Sequence, residues 1–133
     1  MNDEERLVEI TEVLEELKEL SKDHVILIEG PNDKKALISV GIGGDVFMIQ
    51  SEGGPIRAAE YVSEHGGKAV VLTDWDRRGG SIAHELENQL SALGLIFDTR
   101  IRAKLSFLCK KDIKDVESLS KLLERLSFSA YFG

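Results

Sequence analysis

Two carboxylates and two guanidinium groups follow one another in VVLTDWDRRGG, residues 70 to 80, directly after a run of apolar residues. Asp74 and Asp76 are two positions apart, a spacing that in extended or loosely turning backbone aims both carboxylates at one small volume. Two anions held close raise each other's pKa unless a cation lies between them. Hard oxygen ligands with open positions for water and phosphate suit Mg²⁺, with Mn²⁺ as a substitute. Arg77 and Arg78 carry the planar fork that grips phosphate through paired hydrogen bonds. Glu29 ends an earlier apolar run, HVILIEG (24–30), and is a third acid that a sheet could bring to the same place.

Other readings of these residues stay open. Asp76 or Ser81 could simply cap a helix beginning near residue 80. Capping explains one carboxylate, but not both together with Glu29. One of the arginines could pair with a carboxylate such as Glu52. A calcium loop is excluded: Asp74, Asp76, Gly79 and Glu85 fall at its ligand and glycine positions, but Arg78 stands where a further ligand is required, and a strand precedes the loop. An aspartyl-nucleophile phosphatase would want a small or hydroxyl residue where the arginines stand. QSEGGPIR (50–57) adds a weaker candidate, with Ser51, Gly53 and Gly54 ahead of a helix N-terminus that could present N–H groups to phosphate.

The elements that must position these groups alternate in type. An amphipathic helix with a glutamate-rich face occupies residues 3–21, and apolar runs at 24–30, 45–50 and 68–74 read as buried strands. Helices are expected over 31–41, 55–67 and 81–94, with 51–54 as a loop. A fourth strand or extended piece follows at 95–101, then two shorter helices near 102–109 and 115–127. This alternation predicts a compact α/β fold: a mostly parallel four-stranded sheet, helices on both faces, and extra helices at either end. Ligands of such sheets bind at the carboxyl ends of the strands, where Glu29, Asp74 and Asp76 all fall. The 133 residues form one expected domain, divided into an acidic N-terminal helix (1–22), a core (24–95) and a C-terminal extension (96–133).

With those positions assigned, the chain resembles a known family. VILIEGPNDKKAL, followed 45 residues after its glutamate by VVLTDWDRRGGSIAHEL, is similar to the Toprim domain. That catalytic domain is shared by bacterial-type DNA primases, topoisomerases of types IA and II, OLD-family nucleases, RecR proteins and ribosomal-RNA maturation nucleases. The nearest likeness is to the small stand-alone archaeal primase-like Toprim proteins. The resemblance implies Glu29 as general acid/base or metal ligand, and Asp74 and Asp76 as the Mg²⁺ pair. It implies turn-forming roles for Gly30 and Asp33, and for Gly79 or Gly80. Trp75 departs from the family, which often has proline there, and is expected to be a packing anchor. The implied function is phosphodiester chemistry on RNA or DNA, by nuclease or nucleotidyl transfer, with one or two metal ions. The alternative is a non-catalytic nucleic-acid-binding or assembly subunit that keeps the metal site.

Charge is unevenly shared. The net charge is −7, yet residues 1–19 hold eight acids against two bases, while Arg100–Lys111 holds five bases and no acid. Arg100, Arg102 and Lys104 in that stretch are candidate contacts to a nucleic-acid backbone. The single cysteine, Cys109, excludes an internal disulfide and a cysteine-clustered zinc site. No apolar run is long enough for a membrane helix, and the acidic start does not read as a secretory signal, so a cytoplasmic location is expected. Self-association or partner proteins of nucleic-acid processing would use the acidic first helix or the tail FSAYFG.

Overall fold

In the computed structural model, four short strands build one sheet: β1 (Val25–Ile28), β2 (Val46–Met48), β3 (Lys68–Val71) and β4 (Ile96–Asp98). Their order is β2-β1-β3-β4, and every neighbouring pair is parallel. The described residues are 1–132; Gly133, the last residue of the tail proposed for self-association, lies outside them. The expected α/β class therefore holds.

Both faces of the sheet are covered, because the two central strands are apolar at every position but Lys68. The twofold alternation of strand side chains sends Ile26, Ile28, Val70 and Leu72 to one face, and Val25, Leu27, Ala69 and Val71 to the other. The first face packs against α1 (Asp3–Leu20), α2 (Pro31–Ser39), α6 (Arg100–Cys109) and α7 (Leu119–Phe132) through Leu17, Leu37, Leu105 and Leu122. The second is covered by α4 (Gly54–Glu64) and α5 (Arg77–Ala92) through Ala58, Val62, Leu86 and Leu90. The two terminal segments thus share one core with β1 and β3. No helix of the described residues is long and apolar enough to cross a membrane.

Connectivity creates the cleft. From β1 the chain crosses by α2 on one face to β2, then returns past β1 by α4 on the opposite face to β3. The strand order reverses between β1 and β3, and at such a switch point the flanking helices part and leave a crevice at the carboxyl ends.

Two local expectations change. Residues 51–54 are not a plain loop: a one-turn helix, α3 (Ile49–Glu52), forms because the Glu52 carboxylate reaches back to the Met48 N–H at 2.6 Å. The helix expected from residue 81 starts at Arg77, because Asp76 caps it by accepting the Gly79 N–H at 2.6 Å. Gly79 and Gly80 therefore lie inside the first turn of α5 and form no separate turn. Gly79 is required by close approach: a Cβ there would lie 1.8 Å from the Asp74 carbonyl oxygen.

Candidate functional site

Glu29 follows the last residue of β1 and is 5% exposed. Its Oε2 accepts the Asp74 N–H at 2.8 Å, tying the end of one central strand to the end of the other. Asp74 turns its own Oδ1 to the Val116 N–H at 3.1 Å. Asp33, 7% exposed, accepts the Gly30 N–H at 3.0 Å and so caps α2, the helix that Pro31 opens. These three hydrogen bonds, with the Asp76 cap, set the acids around a cleft of about 200 Å³. Its lining includes Glu29, Asp33, Asp74, Asp76 and Glu117, with Arg78 as the one cationic side chain.

This crowding has an electrostatic cost. Burial, reinforced by the Asp33 and Glu29 charges and opposed by the Val116 N–H, pushes the Asp74 carboxyl up to about 7. Burial also raises Asp33, with Glu29, Glu117 and Asp115 adding repulsion and the Gly30 N–H opposing it. Among the described residues, no three His, Cys, Asp or Glu side chains are grouped closely enough to enclose a metal ion. Mg²⁺, however, keeps much of its water and commonly takes only one or two protein carboxylates. The donor set fits such an ion: hard oxygens, an excess of negative charge, and one oxygen of Asp74 and of Asp76 outside the hydrogen bonds described above.

The sequence-predicted residues divide into two groups. Glu29, Gly30, Asp33, Asp74, Asp76 and Arg78 meet at the cleft. Arg77 is exposed on the first turn of α5 and does not line it. Ser51, Gly53 and Gly54 also stay outside the cleft, where Gln50 alone of that stretch contributes. Gly53 lies against the Arg57 side chain, which pairs with Glu60 and Glu64. Arg100 and Lys104 are bound to Glu16 of α1 rather than held free for a polyanion. Arg102 donates to backbone carbonyls beside the cleft. Trp75 is the expected anchor: its ring packs against the core and its Nε1–H donates to the Ile113 carbonyl at 2.7 Å.

Glu117, Asp115 and the Val116 N–H were not singled out in the sequence. They arrive from more than 40 residues beyond Asp74, and the only local hint is the acid–acid spacing of DVE after a basic stretch.

Fold and site together define a parallel α/β protein with an acidic cleft at the sheet's switch point. Sequence comparison then assigns the family. A UPF0292 protein of Methanosarcina barkeri is 38% identical over 122 residues, covering 91% of this chain and 85% of the relative. The chain belongs to the UPF0292 family. A UPF0292 protein of Methanocaldococcus jannaschii is 29% identical over 128 residues, covering 96% of this chain and all of the relative. Among solved structures, a putative protein from Aquifex aeolicus superposes with a TM-score of 0.68 at 32% identity, over 80% of this chain and 94% of its own. No protein-family model matches.

These findings correct the Toprim assignment, including the likeness to stand-alone archaeal primase-like proteins. The archaeal relatives carry the UPF0292 name, none of them a Toprim or primase name, and no family model supports one. Local physics accounts for much of the motif that suggested it. Asp33 and Asp76 are helix caps, and Gly79 answers a backbone approach, so these parts of the pattern follow from local geometry after parallel strands.

Proposed function

We propose that the protein binds Mg²⁺, or Mn²⁺ in its place, at the cleft and carries out phosphodiester chemistry on RNA or DNA in the cytoplasm. The observation that carries this reading is the convergence of five acids on one small cleft with a single guanidinium among them. Asp74 and Asp76 would hold one or two ions. A bound ion would neutralise charge that builds on the non-bridging and leaving oxygens. Glu29, anchored through one oxygen to the Asp74 amide, is the group to move a proton to or from the attacking or departing oxygen. Arg78 on the cleft wall holds phosphate.

A second reading, a non-catalytic nucleic-acid-binding or assembly subunit, is favoured by the capping roles of Asp33 and Asp76, which give those acids a structural purpose without turnover. The two readings separate in one experiment. Labelled single- and double-stranded RNA and DNA are incubated with Mg²⁺ or Mn²⁺ and wild-type, Glu29→Gln or Asp74→Asn protein. Metal-dependent cleavage or extension that both substitutions abolish supports the enzyme. Binding without turnover, unchanged in both variants, supports the docking subunit.

A further inference from the structure

We infer that the chain beyond β4 forms a clamp on the Asp74–Asp76 loop, with Arg102 as a positioning residue of the cleft. The inference rests on the reading of that cleft as a cation and phosphodiester site. β3 ends at Val71, so the carbonyls of Thr73 and Asp74 lie beyond its ladder and need other donors. Arg102 supplies them from α6: its Nε–H donates to the Thr73 carbonyl at 3.0 Å and its Nη2 to the Asp74 carbonyl at 2.7 Å. From the other side, residues 113–116 complete the grip. The Trp75 N–H donates to the Lys114 carbonyl at 2.9 Å, its indole N–H to that of Ile113, and the Val116 N–H to the Asp74 carboxylate.

Arg102 differs from its neighbours on the helix. Arg100 and Lys104 face outward to Glu16, whereas Arg102 is half-buried and directs two of its donors to successive carbonyls. Its influence extends further through the backbone. The Thr73 hydroxyl donates to the Gly79 carbonyl at 2.7 Å, and the Gly79 N–H in turn holds Asp76. One guanidinium therefore sets the loop that carries both aspartates. The forked geometry matters, because a lysine ammonium is a point charge that does not span two carbonyls in the same way.

The test compares Arg102→Lys and Arg102→Gln with Lys104→Gln, a control on the same helix. Amide exchange over residues 73–80 is followed without metal, and Mn²⁺ binding is measured by calorimetry. The expected result is exchange faster by about tenfold in both Arg102 variants, with α4 unchanged. Mn²⁺ affinity falls by about tenfold, as when a partner of a metal ligand is removed. Lys104→Gln does neither. Unchanged exchange in Arg102→Gln overturns the clamp, and wild-type behaviour of Arg102→Lys overturns the forked role. If Arg102→Gln fails to fold, Arg102→Lys carries the comparison. A wild-type protein that binds no Mn²⁺ refutes the cation reading, while the exchange data still decide the positioning role.

Discussion

Two dense charge clusters lie on opposite sides of α6, and they are built on opposite terms. Between α1 and α6, Glu16 takes Arg100 and Lys104 in exposed ion pairs, so each charge keeps both a partner and water. In the cleft, five acids surround one arginine, and burial pushes Asp74 up to about 7. The first cluster joins three charges and the cleft six. Compensated charge in water contributes modestly, whereas partly buried charge without a counterion is costly to maintain and marks where function is sought.

The largest effect is expected at Gly79. Gly79→Ala places a methyl group against the Asp74 carbonyl and should cost about 3 kcal/mol of stability, read by urea unfolding. A near-neutral result would mean that the loop has room to move and that the cleft geometry is not held.

Next in size is the pH response of Asp74. The folded protein keeps this proton up to about pH 7, while the unfolded chain loses it near the ordinary value of 3.8. The folded state therefore binds more protons in that window, and stability falls as pH rises from about 4 to 7. Asp74→Asn should remove this slope and be more stable than wild type at pH 8 by about 1 kcal/mol, the full shift being discounted for the group's solvent-facing side. Asp112 acts in the opposite sense. Held below its usual range chiefly by Arg125, with Arg6 adding to the effect, it loses its contribution as pH falls through the acid range. The difference between wild-type and Asp74→Asn curves isolates Asp74, and parallel curves would refute the crowding. Added Mn²⁺ should stabilise wild type more at pH 8 than at pH 5, since the ion competes with the proton.

The smallest effect sharpens the other side. Glu16→Gln should change stability by about 0.5 kcal/mol or less, and less again in high salt. A loss several times larger would show that the surface pairs hold α6, and through it Arg102, in place.

Much of this was legible along the chain. VILI and AVVL read as buried strands because their uninterrupted apolar runs match a sheet covered on both faces. Glu29, Asp74 and Asp76 were readable because a polar residue directly after such a run must emerge at the strand's carboxyl end. The start of α5 was not, since Arg-Arg-Gly-Gly has poor helical character and only the Asp76 cap overrides it. The basic stretch at 100–111 suggested a polyanion track, but two of its bases meet an acid more than 80 residues away. No local pattern reveals such a partner.

Apart from the one-turn α3, the element types and the residues that end the central strands follow from the chain alone, because hydrophobic periodicity and capping act over a few positions. Tertiary structure alone decided which acids share the cleft, which cations are already paired, and that Arg102 and residues 113–116 close on the Asp74 loop. Those outcomes depend on distances between segments dozens of residues apart, and only the packed sheet and its crossovers set them.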